Sequence, residues 1–591
     1  MIEGAIKPQW ALLGATFIAI CSFLPLYLAP ASVAEIVKPL FVVLAVSLGL
    51  SWILALCQTT TFGNFILKEA VPGGAMKDPY DTKLYHKFEK FLTLLIKRRF
   101  VTLTTVFVTL VLSLVIMAVM PQSFFPKMNK PYFRADLVFP EGFSIHAVDQ
   151  DVMKVEGYLK NHEKVKSYSV TLGGTPLRYY LASSSFGPKS NYANVMVETK
   201  DPEDAAEVEQ QFYEHMTQNF PNIITRSALF ALSPVPEAAI EIGFIGENPD
   251  TLTALVERAK KIARQCDMVT DIRSNWGDKV PVWKPMFSQQ KGLRLGITRQ
   301  QVANSFRTAT NGLPLGEYRE GDVSLPILLK DEDVEKMNLN DVKSVPVFST
   351  KGNSVKVEQV IDNFALGYDY NVVRRFNRER CMMMQCEPKR GANTMAAFKQ
   401  VLTAVQEQMQ LPEGYKMKYF GEQETQDVSN AALAKNIPLT FLLIYVVLLF
   451  LFPSNYRKPV LIMLMLPLVF IGVVWGLLLF GKSLDFFAIL GLLGLIGMNI
   501  KNAIVLVDEI GLQLKDGKGA VPAVVEATKT RIVPVTMASG TTILGMLPLL
   551  GDAMFAGMAA TIMGGLFVST VLTIFVLPVT YCIFFKIRAD R

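Results

Sequence analysis

The sequence has few of the residues that catalytic and metal sites need. Only four histidines occur (His86, His146, His162 and His215), no two of them form a close metal-ligand pair, and no Gly-x-Ser-x-Gly motif is present. The six cysteines are scattered, and three of them lie inside apolar runs. The sequence therefore argues against a hydrolase, a metalloenzyme and a disulfide-rich secreted protein.

Charge is scarce as well. Only 19% of the 591 residues are charged, 51% are hydrophobic, and the mean hydropathy is +0.30. These values predict an integral membrane protein. The net charge is +7, but the basic residues cluster at the ends of apolar segments, which indicates membrane topology rather than nucleic-acid binding. The N-terminus lacks the basic region and cleavage site of a secretory signal, so none is predicted.

Eight apolar runs approach the length of about 20 residues that crosses a hydrocarbon core. They cover residues 11–28, 39–57, 100–120, 437–453, 459–480, 486–508, 532–550 and 556–585. When the spans are counted alternately, the basic connections and the basic C-terminal tail all fall on the same side. The positive-inside rule makes that side cytoplasmic, so both termini are predicted to be cytoplasmic.

The long segment between the third and fourth spans is predicted to lie outside the membrane. Alternating runs such as YANVMVETK indicate strands, and segments such as NPDTLTALVERAKKIARQC have the apolar spacing of helices. The predicted fold is a polytopic α-helical membrane protein with a large α/β periplasmic domain of ferredoxin-like βαβ subdomains. The predicted boundaries are 1–60 for the first two spans, 61–99 for a cytoplasmic connection, 100–121 for the third span, 122–435 for the periplasmic domain and 436–591 for a five-helix bundle.

The first two spans resemble the last two. Residues 23–50 and 546–574 each begin with a Leu-Pro-Leu that closes one span, followed by a short loop and a second span. Internal repeats of this kind are typical of transporters. If the repeat holds, helices that match spans three to six are predicted upstream of Met1.

One span carries a lysine near its middle. The run GLLGLIGMNIKNAIVLVDEI covers residues 491–510 and contains Lys501, and no span has an acidic residue at the same depth. An intramembrane charge costs roughly 2.5 to 3.5 kcal/mol and usually faces the interior of a bundle. Asn499 and Asn502 favour such a polar face, and glycines 491, 494 and 497 favour close helix packing. The alternative is a lysine that snorkels to the interface.

This run resembles the tenth transmembrane helix of resistance-nodulation-division (RND) efflux permeases of the hydrophobe/amphiphile exporter type. The matching positions are 491–492, 496–497, 501–504 and Asp508. Residues 531–549 resemble the next helix, 124–144 the start of the second periplasmic loop, and 293–318 the docking region that meets an outer-membrane channel. The resemblance covers the family's fifth to twelfth helices, so this chain would be the C-terminal part of such a permease.

The resemblance implies a proton-coupling site. In this family the lysine pairs with two adjacent aspartates of the fourth helix, and proton binding there drives export. Lys501, Asn502 and Arg531 would belong to that network, with the aspartates upstream of Met1. The family's relay threonine aligns with Ala538, and the neighbouring Ser539 is predicted to point elsewhere.

The implied function is proton-driven export of drugs or other amphiphilic small molecules across a bacterial inner membrane, with no cofactor beyond the proton motive force. The implied partners are a separately encoded N-terminal half, a periplasmic adaptor, an outer-membrane channel and two further copies in a homotrimer, with no nucleic acid. Tyr179, Tyr180 and Phe186 are predicted to line the substrate pocket, although core aromatics beside a surface turn would give the same pattern.

Two alternatives remain open. One is a nonfunctional remnant of a truncated transporter gene. The other is metal-ion efflux, because the run CMMMQCEP at 381–388 offers soft thiol and thioether ligands. On a strand, however, Cys381 and Cys386 would face opposite sides, so core packing is the predicted role of this run.

Overall fold

The computed structural model describes residues 9–29, 32–66, 80, 82–123, 125, 128–177, 188–230, 237–331, 341–349, 352–453 and 455–587. The chain divides into two compact units. The first comprises Met1–Asn275 and Arg375–Arg591, and the second comprises Trp276–Arg374. The long apolar helices all belong to the first unit, together with two β-sheets.

The N-terminal part of the first unit is helical. Its helices are α1 (Gln9–Ser22), α2 (Leu24–Leu28), α3 (Ser32–Ile66), α4 (Lys83–Lys97) and α5 (Arg99–Val119). A single residue, Arg98, separates α4 from α5, and its φ and ψ of −96° and 39° are not helical. The amphipathic helix α4 therefore leads directly into a long apolar helix.

The first sheet follows α5. Its elements are β1 (Tyr132–Val138), α6 (Ile145–Lys160), β2 (Val165–Leu172), β3 (Tyr192–Thr199), α7 (Ala205–Asn219) and β4 (Ile224–Leu229). The strand order is β2-β3-β1-β4, and all neighbours are antiparallel. Buried apolar residues of β1, β3 and both helices, such as Phe133 and Phe212, form one core. Burial of these alternating side chains stabilises the layer.

The second sheet repeats this arrangement. Its elements are β5 (Ile240–Ile245), α8 (Pro249–Ala263), β6 (Val269–Ser274), β13 (Arg375–Phe376), β14 (Glu379–Pro388), α11 (Thr394–Gln408) and β15 (Lys416–Phe420). β14 pairs with β6 and β5, and β5 pairs with β15. Without the short β13, the order β6-β14-β5-β15 has the same connectivity as the first sheet, and the second unit is inserted between its second and third strands.

Charged side chains join the two sheets. Arg226 of β4 donates from Nε to Oδ2 of Asp271 on β6 at 2.8 Å. Arg390, which follows β14, forms a two-pronged ion pair with Glu209 of α7, with N–O distances of 2.8 and 2.6 Å. Bidentate pairs of this kind fix orientation as well as distance. The two α/β layers are therefore held together by polar contacts in addition to the chain itself.

The second unit is a small α/β insertion. Its elements are β7 (Lys279–Phe287), α9 (Gln289–Leu295), α10 (Arg299–Thr308), β8 (Leu313–Glu320), β9 (Val323–Leu329), β10 (Pro346–Phe348), β11 (Ser354–Lys356) and β12 (Ile361–Tyr370). Its strands pair as β7–β12, β8–β9 and β10–β11, all antiparallel. Thr298 and Gln301 form a reciprocal capping box that starts α10.

Six helices follow β15. They are α12 (Gly421–Leu451), α13 (Arg457–Leu464), α14 (Val469–Leu479), α15 (Phe486–Lys515), α16 (Ala520–Met546) and α17 (Ala556–Phe584). Gly421 makes the turn from β15 into α12 with a φ of 80°, and a Cβ there would lie 3.0 Å from the Ala239 carbonyl oxygen. α12 therefore starts well before residue 437, where the sequence predicted the span to begin, and its first turns extend the helix toward the second sheet.

Among the described residues, eight helical segments are long and apolar enough to cross a membrane. They are Gln9–Leu28, Val37–Gly63, Arg99–Val119, Gly421–Leu451, Arg457–Leu479, Phe486–Lys515, Ala520–Gly551 and Ala556–Phe584. Each overlaps one of the runs identified in the sequence. The ends differ because helices continue past the apolar run wherever polar residues keep good helical propensity.

These eight segments are not equally buried. Between 61 and 67% of the residues are buried in the most apolar stretch of three segments, Arg457–Leu479, Phe486–Lys515 and Ala556–Phe584. The buried share of the corresponding stretch is 11% in Ala520–Gly551 and zero in Val37–Gly63. The three most buried segments form the centre of the bundle. Ala520–Gly551 buries residues near its start, such as 523–525 and 527–529, and its more apolar later part is mostly exposed or half-buried.

Close helix contacts in this centre depend on glycine. A Cβ on Gly476 of α14 would lie 2.8 Å from Gly564 Cα of α17, and a Cβ on Gly472 would lie 2.7 Å from Gly565 Cα. On α15, a Cβ on Gly497 would lie 2.7 Å from Ala19 Cα of α1. The close packing that the sequence predicted from glycines 491, 494 and 497 is thus confirmed, and a second glycine contact joins α14 to α17.

We expect Gly476→Leu to destabilise the chain by about 3 kcal/mol or more, because backbone atoms on both sides prevent relaxation. The matched control is Gly545→Leu on α16, where a Cβ would meet no atom within 4 Å. Both variants add the same side chain to an apolar helix. The test is the thermal unfolding midpoint of the purified chain in detergent. Equal midpoints for the two variants would contradict the packing described for α14 and α17.

Candidate functional site

Lys501 lies in the middle of α15 and its side chain is exposed. Among the described residues, no carboxylate forms an ion pair with it. Asn499, two residues earlier, is buried and accepts a hydrogen bond at 3.5 Å from Thr573 Oγ1 of α17. The helix thus turns one polar residue toward its neighbours and presents the lysine on an open face.

Asn502 takes part in a polar cluster between three helices. Its Nδ2 donates to Ser539 Oγ of α16 at 3.4 Å, and Thr570 Oγ1 of α17 lies 2.6 Å from the same oxygen. Ser539 and Thr570 are both buried. Ser539 thus points in a different direction from the exposed Ala538, as predicted, and it contacts Asn502. Ala538, the position aligned with the family's threonine, is exposed.

Arg531 pairs with an acidic residue that was not among the predicted site residues. Its Nη2 and Nε lie 2.6 and 3.1 Å from Glu509 Oε2 of α15. Glu509 lies two turns beyond Lys501 on the same helix. Its position beside a basic residue on the next helix could have been found by pairing the ends of consecutive spans. Arg531 and Glu509 thus join α15 to α16 near the end that the positive-inside rule assigns to the cytoplasm.

The three aromatic residues predicted to line a substrate pocket, Tyr179, Tyr180 and Phe186, lie outside the described residues. Their role in a pocket stays a prediction. The first sheet borders this segment on both sides, since β2 ends at Leu172 and β3 begins at Tyr192.

The soft-ligand run on β14 is packed into the second sheet. Cys381, Met382, Met384 and Cys386 are all buried. Burial raises the pKa of Cys381 to about 11 and that of Cys386 to about 12. Metals bind the thiolate, and burial disfavours that charged form here. The predicted core role of this run is confirmed by its burial.

No group of three or more histidine, cysteine, aspartate or glutamate side chains that could hold a metal ion occurs in the part of the chain that the structure describes. The polar groups described above in the bundle are hydroxyl, amide and ammonium groups, together with the Arg531–Glu509 ion pair. Such groups can pair with a carboxylate and pass or hold a proton.

Comparison with known proteins gives a family for this arrangement. Residues 1–585 match the model of the AcrB/AcrD/AcrF family. The chain belongs to the AcrB/AcrD/AcrF family. The resemblance to RND permeases that was stated from the residues around Lys501 is therefore confirmed.

Relatives within this family differ in their named substrates. The chain is 27% identical over 360 residues to the nickel and cobalt resistance protein CnrA of Cupriavidus metallidurans. That match covers 59% of this chain and 33% of CnrA. It is 23% identical over 602 residues to the multidrug export protein AcrF of Escherichia coli K12. That match covers 97% of this chain and 57% of AcrF. The chain therefore spans little more than half the length of AcrF, and the part of it that matches CnrA covers a third of that protein.

The fold is also similar to that of a heavy metal efflux pump solved by crystallography. The TM-score is 0.77 at 17% sequence identity, and the match covers 97% of this chain and 57% of that one. At this level of identity the match concerns the fold. It agrees with a permease fold that combines several apolar helices with mixed α/β layers.

Proposed function

We propose that this chain is the C-terminal part of a proton-driven exporter of drugs or other amphiphilic small molecules in a bacterial inner membrane. The observation that carries the proposal is Lys501, an ammonium in the middle of a span that faces outward from the described bundle. A charge at that depth is retained when it pairs with a carboxylate whose protonation is part of the transport cycle.

The partner carboxylate would come from a part of the transporter that corresponds to the N-terminal half of AcrF. The match to AcrF covers 97% of this chain and 57% of AcrF, which supports a role as the C-terminal part. The complete assembly would be a homotrimer that docks a periplasmic adaptor and an outer-membrane channel. Its energy source would be the proton motive force, without a cofactor.

The same proposal covers the architecture. The eight apolar segments would all span the membrane, and the α/β layers would be periplasmic. The strand order β2-β3-β1-β4, with one helix after β1 and one after β3, supports a ferredoxin-like unit. The second sheet has the same connectivity. Two such units facing each other would form the walls of a substrate groove.

Metal-ion efflux is the second candidate. The identity to CnrA favours it, because CnrA is named for nickel and cobalt resistance. The protonated, buried thiols of Cys381 and Cys386 argue against a metal site on β14. Amphiphile export also fits AcrF, which is named as a multidrug export protein and matches 97% of this chain. A remnant without transport activity is the third possibility.

Deletion of the gene in its own host separates the three. We expect the deletion strain to accumulate a lipophilic dye such as ethidium at least about twofold faster than the parent strain, with unchanged tolerance of nickel, cobalt and cadmium. A plasmid copy should restore dye efflux. Loss of metal tolerance with normal dye efflux would replace this proposal with metal export. No change in either would favour a remnant.

A further inference from the structure

The helix α4 has three faces, of which the two exposed ones overlap. Phe88, Leu92 and Ile96 are buried in the bundle. The rings of Phe88 and Phe91 lie 5.6 and 5.4 Å from the ring of Phe575 in α17. One face of the helix is therefore fixed against the bundle, and the remaining residues are exposed or half-buried.

The second face is apolar and exposed. Leu84 is 72% exposed, and Phe91 and Leu94 are each 49% exposed. On an α-helix these three residues fall within a sector of about 80°. Large apolar side chains in such a strip, beside a buried face, indicate contact with a nonaqueous surface.

The third face is basic and overlaps the second. Lys83, Lys87, Lys90 and Lys97 are exposed. By helical spacing Lys87 lies between Phe91 and Leu94, and the other three lysines lie beside Leu94. Among the described residues none of these four lysines has an ion-pair partner. Glu89 is the only acidic residue of α4, so this side of the helix carries a net positive charge.

The position of α4 relative to the membrane follows from its connection. α4 ends at Lys97, and the apolar segment Arg99–Val119 begins after one residue. The C-terminal end of α4 must therefore lie at the membrane surface. Basic residues at that boundary are typical of the cytoplasmic side.

We propose that α4 is a binding site for anionic phospholipids of the cytoplasmic leaflet. The lysine face would bind the phosphate headgroups, and Leu84, Phe91 and Leu94 would contact the acyl chains. Each basic residue near an anionic membrane surface raises binding about fivefold. A soluble acidic partner would satisfy the lysines but would leave the adjacent apolar strip in water. This inference does not depend on the transported substrate.

The test is hydrogen–deuterium exchange of the full chain in nanodiscs of phosphatidylcholine alone and of phosphatidylcholine with about 30% phosphatidylglycerol. We expect amide exchange in residues 83–97 to slow with phosphatidylglycerol. The variant with Lys83, Lys87, Lys90 and Lys97 changed to glutamine should lose this protection. It should also bind phosphatidylglycerol at least about tenfold more weakly in native mass spectrometry.

Two controls isolate the role of charge. Changing the same four lysines to arginine should keep the protection, since arginine binds phosphate at least as well. Changing Lys515 and Lys518, two exposed lysines at the end of α15 and in the loop that follows, to glutamine should leave it unchanged. Exchange in residues 566–577 of α17 reports whether the glutamine variant still packs α4. Equal protection by both lipids in the unmodified chain, or full protection in a correctly packed glutamine variant, would overturn the proposal.

Discussion

Replacement of Lys501 with leucine is expected to raise the membrane abundance of the isolated chain and to abolish export by the complete assembly. In the isolated chain the ammonium has no ion-pair partner among the described residues and sits on an exposed face. Its removal should favour insertion by up to about 3 kcal/mol. Membrane abundance of the isolated chain should therefore rise, because Lys501 has no ion-pair partner among the described residues.

In the complete assembly the same change should have the opposite consequence. The leucine variant lacks the counter-charge that would let a carboxylate of the N-terminal half ionise inside the membrane. The transport cycle would then stay in one state. Lys501→Arg should also fail, because a planar guanidinium does not replace a compact ammonium in a packed site. The measurements are membrane abundance of the chain alone and dye efflux by the assembly.

Lys518→Leu is the matched control, because it removes an exposed lysine from the loop between α15 and α16. It should change neither measurement in the way that Lys501→Leu does. Normal export by an assembly that carries the leucine at residue 501 would make Lys501 a snorkelling residue and would remove the basis of the proton-coupling proposal.

The sequence was informative about the spans because each is a long, nearly uninterrupted apolar run. Membrane insertion requires such runs whatever the tertiary structure. The glycine contacts of α15 were also predictable, because glycines 491, 494 and 497 leave one side of the helix without bulk. Apolar runs and glycine spacing can be interpreted from a single segment, without knowledge of the tertiary structure.

Contacts between distant segments were not predictable in the same way. The contact of Ser539 with Asn502 and Thr570 depends on how α15, α16 and α17 rotate against each other. Adjacent positions on a single helix could not reveal it. The pair Arg531 and Glu509 likewise depends on how α15 and α16 pack, because the two residues are 22 positions apart in the sequence. The repeated strand order of the two sheets is hidden in the sequence, since the second unit interrupts the second sheet.

A buried carboxyl in the second sheet gives the remaining prediction, which concerns pH. Glu241 of β5 is 7% exposed. Its Oε1 accepts hydrogen bonds from Gln385 Nε2 at 2.8 Å and from the Ala238 amide at 3.2 Å. Burial raises the pKa of Glu241 to about 7, and the nearby carboxylate of Glu237 adds to the rise. Hydrogen bonds and the charge of Arg273 oppose it only in part.

The sign of the pH effect follows from this pKa. The folded chain holds the proton of Glu241 more tightly than the unfolded chain does, so the stabilising contribution is complete below the ordinary pKa of 4.5. It declines as pH rises and is lost above about 7. A rise from 4.5 to about 7 corresponds to roughly 3 kcal/mol of stability. The pKa of Glu387 in the same sheet is also raised by burial, so part of the decline belongs to that residue.

Glu241→Gln should therefore stabilise the second sheet at pH 8 by up to about 3 kcal/mol and change little at pH 4.5. Glutamine resembles the protonated acid in shape, and its amide oxygen can accept the bonds from Gln385 and the Ala238 amide.

The control is Glu247→Gln, which neutralises an exposed carboxylate just after β5. Pulse proteolysis of the full chain in urea, between pH 4.5 and pH 8, measures the midpoint for the α/β layers. Glu241→Gln should reduce the change of the urea midpoint with pH, whereas Glu247→Gln should leave that change as it is in the unmodified chain. An unchanged slope in the first variant would mean that Glu241 stays ionised in the folded sheet.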